Sequence, residues 1–417
     1  MDYNIRMPSL TERLKALGVS VGTSELKPPS PQGGVRIQQV VDGSLVETRL
    51  GQTFVAEQCH PAEYRHGVVP IQLESPLDVL AAWAGDDRLR ELPPESFVFL
   101  DTETSGLSGG TGTYAFMVGA GRFEATDQGE TFRLAQFFMR DPAEESAMLE
   151  ALAEFLASAQ ALVTYNGKAF DLPLLRTRYL LQGAPVPFED YAHVDLLPLA
   201  RRLWRERLPS RTLKYIEENV LAAPRSTEEV PGYEIPYLYF DYLRSGDAAP
   251  LKGVFYHNAM DILALAALLN YSAGLLANPF NGQIEHGLDL VAIARLYEDL
   301  GRWEQAARLY ERGLELELDE SDFWGALRRL SILQKRRGDL EAAVSWWEQA
   351  ASEGHIYAHV ELAKYYEHRL KDYAEALRWT RAALEHVAQA AFPEYVRQYW
   401  EGELDHRLQR LVRKSAS

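Results

Sequence analysis

Apolar residues recur with two different periods, and the change between them divides the chain. From about residue 96, SFVFLD, TYAFMVGAGRF and TFRLAQFFM are compact runs rich in Val, Phe and Tyr, the pattern of strands. Glycines punctuate the gaps: Gly109, Gly110 and Gly112 in the first, Gly129 in the second. A helix is predicted from about Asp141, because Glu144 and Glu145 suit the positive end of its dipole. ALVTY reads as a short buried strand, and the next helix begins near Asp171, where Pro173 fits a first turn. Ser210 is placed to cap TLKYIEENVL. Three antiparallel strands followed by helix–strand–helix predict a mixed sheet covered by helices. Upstream, VRIQQVV and LVETRL flank Asp42-Gly43, which predicts a hairpin, and GQTFVAEQC adds a strand.

Beyond residue 287 the period becomes helical and the pattern repeats. GRWEQAARLYERGLE, GDLEAAVSWWEQA and KDYAEALRWTRAAL align Trp303/Leu340/Tyr373, Ala306/Ala343/Ala376 and Leu309/Trp346/Trp379, at steps of 37 and 33 residues. Small residues at a fixed place in a unit of about 34 residues let paired helices cross closely. Residues 287–386 resemble the tetratricopeptide-repeat family in this respect; a plain helical bundle is the alternative. The expected organisation is an N-terminal β-containing extension (1–95), an α/β domain (96–280) and a helical repeat domain (281–417).

Composition narrows the class. An apolar fraction of 47% and a charged fraction of 25% are ordinary for a soluble chain. Cys59 is the only cysteine, so no intramolecular disulfide forms; a reducing cytoplasm is expected. Cys59, His60 and His66 lie close together but fit no zinc spacing, and a structural role is expected. The start, MDYNIRMPSLTERL, has no apolar stretch after a basic region, so no secretory signal is expected. ILALAALLNYSAGLLANPF is the longest apolar run, and Asn270, Tyr271 and Ser272 interrupt it; a buried core helix and no membrane span are expected. The net charge of −17 excludes a surface wholly devoted to phosphate binding. Residues 161–215 reverse that sign, with nine Lys or Arg against five acids.

Three segments carry candidate chemistry. In FVFLDTETSGL, Asp101 and Glu103 are two apart on a strand and share a face. Adjacent carboxylates repel unless a cation lies between them. In ALVTYNGKAFDLPLL, Asp171 follows a buried strand at a helix start, where capping is the alternative role. In FYHNAMDILALAALL, His257 and Asp261 are four apart on one helix face. Buried charge in such an apolar helix needs a partner. Asp195 in HVDLLPLARRLW reads as a helix cap or a further metal-side carboxylate.

The order DTETSGL, NGKAFD, HNAMD resembles the three exonuclease motifs of the DEDD superfamily of ribonuclease H-like nucleases, over about residues 95–275. Followed by the repeats, it resembles the bacterial ribonuclease H-like exonucleases that bear tetratricopeptide repeats. The resemblance implies an α/β ribonuclease H-like mixed-sheet domain and 3′–5′ hydrolysis of phosphodiesters. It implies two Mg²⁺ or Mn²⁺ ions held by Asp101, Glu103, Asp171 and Asp261, with single-stranded DNA or RNA as substrate. Such a pair of ions can hold both the attacking and the leaving oxygen. His257 is the favoured general base, although it stands four residues before Asp261, where the tyrosine subclass has tyrosine; Tyr256 is the alternative. Candidate nucleic-acid contacts are Thr104, Leu107, Asn166, Lys168, Arg176, Arg211 and Tyr256, with Arg178, Arg201, Arg202 and Arg205 along the backbone path and Tyr165 or Trp204 stacking on bases. The repeats are expected to bind a protein partner or to extend the substrate path. The competing reading is an adaptor that keeps a weak or inactive nuclease fold.

Overall fold

The computed structural model describes residues 34–106, 112–126, 129–389 and 392–416. Its strands are β1 (Gly43–Thr48), β2 (Gly51–Pro61), β3 (Arg65–His66), β4 (Val69–Pro70), β5 (Phe97–Thr104), β6 (Ala115–Thr126), β7 (Gly129–Phe138), β8 (Ala161–Thr164) and β9 (Ala192–Asp195). The helices are α1 (Asp78–Ala84), α2 (Glu145–Leu156), α3 (Asp171–Leu181), α4 (Leu196–Trp204), α5 (Leu213–Asn219), α6 (Ile235–Ser245) and α7 (Lys252–Ala277). They continue as α8 (Gly287–Asp299), α9 (Trp303–Leu314), α10 (Glu320–Arg337), α11 (Leu340–Ser352), α12 (Ile356–Tyr365), α13 (Tyr373–Gln389) and α14 (Glu394–Ser415). The main sheet has seven strands in the order β1-β2-β7-β6-β5-β8-β9. β5 runs parallel to β8, whereas β1–β2, β2–β7, β7–β6 and β6–β5 are antiparallel. The expected mixed α/β sheet followed by a helical region is therefore the observed fold class.

Two compact units divide the chain. One takes Met1–Ile71, Pro93–Tyr191 and Ala222–Ala266; the other takes Gln72–Leu92, Ala192–Leu221 and Ala267–Ser417. In the first unit, the three apolar runs form β5, β6 and β7, and their residues Phe97, Phe99, Phe123 and Phe132 are fully buried. The N-terminal strands are not a separate extension, because β2 pairs with β7 from Phe54 opposite Phe138 to Pro61 opposite Thr131. The hairpin turn also lies later than Asp42-Gly43. Ile37–Gln39 form a 3-10 turn, and β1 turns into β2 at Arg49-Leu50. Thr48 fixes that turn: its hydroxyl donates to Gly51 O at 2.9 Å and accepts from Leu50 N–H at 3.1 Å.

Two glycines on one face of β6 decide how closely α7 approaches. A Cβ at Gly119 would fall 2.2 Å from Asn258 Oδ1, and one at Gly121 would fall 2.6 Å from Ile262 Cγ2. Gly119→Ala should therefore destabilise the protein by about 1–3 kcal/mol, the usual cost of overpacking, measured by denaturant unfolding. Unchanged stability would mean that Asn258 is free to move.

In the second unit the three aligned repeat segments begin α9, α11 and α13. The residue two before each start is left-handed: Gly301 at φ 73°, Gly338 at φ 85° and Lys371 at φ 60°. Ala306, Ala343 and Ala376 are all fully buried. Before the third of these segments, α12 continues into a π-helical turn, Tyr366–Leu370. Glu367 on that turn is buried and held by Arg407, Arg410 and Lys414, which keep its carboxyl down at about 2 against the cost of burial. α7 is mostly buried, with Ile262–Asn270 continuously so, as expected of a core helix. The cap of α5 is Thr212, whose hydroxyl accepts from Tyr215 N–H, rather than Ser210. Asp195 caps α4 by accepting from Leu197 N–H at 3.2 Å.

Candidate active site

β5 delivers the first two acids. Asp101 and Glu103 lie opposite Gly119 and Met117 of β6, and the ladder becomes irregular between Glu103 and Thr104, where β5 leaves the core. α7 delivers a second set: Asn258 Nδ2 donates to Asp101 Oδ2 at 2.9 Å, and His257 and Asp261 sit one turn apart. Asn258 is oriented from behind by Gln136 Nε2, 3.0 Å from its Oδ1, while the same nitrogen donates to Phe255 O at 2.8 Å. Asp171 opens α3 and accepts from the Thr102 hydroxyl on β5.

Among the described residues, Glu103, His257 and Asp261 form one group in which each offers a ligand atom within 4.8 Å of the others. His257 Nε2 is 3.4 Å from Asp261 Oδ2 and 3.9 Å from Glu103 Oε1. Asp101 and Asp171 lie outside this triple but are close enough to act on it electrostatically. Burial pushes the Asp101 carboxyl well above its usual range, and Asp261, Glu103 and Asp171 push it further. Burial, with the charges of Asp261 and Asp171, lifts Glu103 to about 7, against the opposing pull of His257 and Arg225. Burial alone would lower His257, but the hydrogen bond to Glu229 and the charges of Asp261 and Glu103 outweigh it and raise the imidazole to about 9.

These residues fit a divalent cation. Glu103 Oε1 is buried and has no hydrogen-bond partner among the described residues. Buried charge is tolerated only when compensated, and the carboxylate oxygens gathered here suit Mg²⁺ or Mn²⁺. Arg225 and Glu229, which carry no motif, complete the cluster. Arg225 pairs with Asp261 and with Glu229, and its side chain is only 2% exposed. The clue available beforehand was a charged pair four apart, Arg225 and Glu229, between the prolines of AAPRSTEEVPG.

The expected nucleic-acid contacts fare unevenly. Lys168 and Arg176 are exposed, Arg176 lying 3.1 Å from Glu189. Asn166 is half-buried at φ 68°, a left-handed turn joining β8 to α3. Thr104 is half-buried and donates to Gly106 O at 2.9 Å. Tyr256 anchors backbone, its hydroxyl accepting from Ser226 N–H at 2.8 Å. Leu107 lies outside the described residues. Arg211, in the second unit, donates to Leu208 O at 2.7 Å. Two expectations fail through burial. Arg178 is sealed in the core against Glu145, with Nη2 2.6 Å from Oε2, and lies over the Tyr114 ring. Trp204 is 1% exposed and stacks on Tyr271, so it cannot receive a base. Arg202 pairs with Asp299 and Arg207 with Asp289. Cys59 is exposed, His66 is buried and His60 packs against Tyr64, and among the described residues they form no metal-ligating group.

Comparison with known proteins agrees with this geometry. Residues 98–273 match the family model of the RNase H superfamily, a span that contains every acid of the cluster. The chain is also 31% identical over 377 residues to the uncharacterized protein YprB of Bacillus subtilis (strain 168), covering 87% of this chain and 86% of that one. With an acidic site between an inner strand of a mixed sheet and a long core helix, residues 98–273 form a ribonuclease H superfamily domain, and the chain belongs to the family that includes YprB.

Proposed function

We propose that the protein is a divalent-metal-dependent 3′–5′ exonuclease that hydrolyses phosphodiester bonds of single-stranded DNA or RNA. Superfamily membership suggests a nucleic-acid hydrolase. The observation that carries the finer reading is the Glu103–His257–Asp261 group, with Glu103 buried and Asp101 and Asp171 beside it. Polarity rests on the motif resemblance.

Asp101, Glu103, Asp171 and Asp261 would hold two ions, which when bound position the attacking and leaving oxygens of the phosphodiester. His257 faces the acids through Nε2 and is the group placed to take a proton from the attacking water. Its hold on a proton weakens as the charge of the surrounding acids is matched. Lys168 and Arg176 are placed to contact phosphates, and Phe170, 60% exposed beside Asp171, offers a ring for a terminal base.

The helical unit, read as tetratricopeptide repeats, contributes a groove of about 580 Å³ lined by Lys335, Arg336, Trp347, Glu361, Lys364 and Arg369, where Glu361 pairs with both lysines and leaves the arginines in excess. Its basic rim stands out in a chain of net charge −17 and suits an anionic partner.

The test is incubation of end-labelled single-stranded DNA and RNA with Mn²⁺ and with EDTA. A ladder shortened from the 3′ end, abolished by chelation, is expected; intact substrate in every metal condition overturns the proposal. Arg225, paired with Asp261, favours the adaptor reading, in which the cluster needs no metal. The adaptor predicts that Mg²⁺ leaves the melting temperature unchanged, the enzyme that Mg²⁺ raises it.

A further inference from the structure

We propose that segment 222–234 is a positioning arm for the histidine, in which Glu229 sets His257 and Arg225 ties Glu229 to Asp261. The catalytic part of this inference rests on the hydrolase reading above.

Glu229 Oε1 lies 3.0 Å from His257 Nδ1 and 3.0 Å from Arg225 Nη1, while Arg225 Nη2 bonds Asp261 Oδ1. Arg225 Nη1 is also 3.4 Å from the same ring nitrogen. The shorter contact and the negative charge of the carboxylate make Nδ1–H donate to Glu229. That leaves Nε2 directed at Asp261 and Glu103. An imidazole held only by its own helix can rotate; one held through its second nitrogen has a fixed plane.

The arm is itself fastened to the first turns of α7. Ser226 N–H donates to the Tyr256 hydroxyl, and Lys252 Nζ donates to Glu228 Oε1 at 2.7 Å. A Cβ at Gly253 would fall 2.4 Å from Val230 Cγ1, so backbone and side chain meet with no space between. Ala222 turns the chain into the arm at φ 51°. Burying Arg225 and Glu229 costs desolvation that well-packed apolar residues would avoid. The geometry gives that expense a use, because the arm reaches the cluster at both His257 and Asp261.

The experiment uses the full chain. With ¹⁵N-labelled histidine and no metal, wild type should show a downfield, slowly exchanging Nδ1–H signal from His257. Glu229→Gln should keep it, because an amide oxygen still accepts, and Glu229→Ala should lose it. In Mn²⁺, Glu229→Ala should lower kcat by about 10- to 100-fold with little change in KM, and Glu229→Gln should recover most of the loss. Mg²⁺ should still raise the melting temperature of Glu229→Ala, since the acids remain. A folded Glu229→Ala that retains wild-type kcat, or whose ring-nitrogen signals match wild type, overturns the proposal. If wild type hydrolyses nothing, the hydrolase reading fails, and the nitrogen signals alone decide the positioning. If Glu229→Ala does not fold, loss of the Nδ1–H signal in Glu229→Gln overturns it and retention supports it.

Discussion

Asp101→Asn should lower phosphodiester hydrolysis by about 10³-fold, roughly 4 kcal/mol of barrier, while making the metal-free protein more stable. The two effects have one cause. Asp101 is half-buried among Glu103, Asp171 and Asp261, all of which disfavour its charge. Removing that charge relieves the repulsion. Asn258 Nδ2 still finds an oxygen acceptor at the same place, so the local packing survives. The same removal takes away a carboxylate that a divalent cation requires. Rate is measured as shortening of a labelled oligonucleotide in Mn²⁺, and stability as melting in EDTA and in Mg²⁺. The substitution should raise the EDTA melting temperature and diminish the Mg²⁺-induced rise. A variant with wild-type activity, or with an undiminished Mg²⁺ response, would remove Asp101 from the metal site. Stability gained at the expense of activity is the usual signature of a functional cluster.

Chelated protein should lose stability steadily from about pH 5 to pH 9, and Mg²⁺ should flatten the decline. Glu103 holds its proton to about 7 in the folded chain, against an ordinary value of 4.5. Below 4.5 both states are protonated, and Glu103 makes no difference. As pH rises from there to 7, the unfolded chain releases the proton first, and folding loses about 3 kcal/mol at ~1.4 kcal/mol per unit. His257 acts in the same direction at higher pH. Its folded value of about 9 exceeds the ordinary 6.5, so the stability it adds is complete below 6.5 and lost as pH rises through 9. Bound cations compensate Glu103 and repel the protonated imidazole, so with metal both titrations move towards their ordinary values. Calorimetric melting across this range, with EDTA and with Mg²⁺, measures the effect. A metal-free profile that is flat or rises towards alkaline pH would show that these two groups are not placed as described. Glu367 works oppositely and far from this window, since its depressed carboxyl gives up stability only as pH falls towards about 2.

Local pattern alone determined the strands β5, β6 and β7, the burial of α7 and the starts of the three repeat helices. It also put Asp101 with Glu103 on one strand face and His257 with Asp261 on one helix face, because side-chain direction follows the period of the element that carries it. Only tertiary structure decided what those faces meet. The N-terminal hairpin became the edge of the main sheet because β2 found β7, a pairing that no local signal in β2 specifies. Arg178 and Trp204 read as surface groups in a basic segment, yet one pairs with Glu145 and the other stacks on Tyr271 inside the protein. Arg225 reaches Asp261 across 36 residues because the fold brings its segment back against α7. A charge shows in the sequence that a partner is needed; which partner is fixed by chain closure, and that is a property of the whole fold.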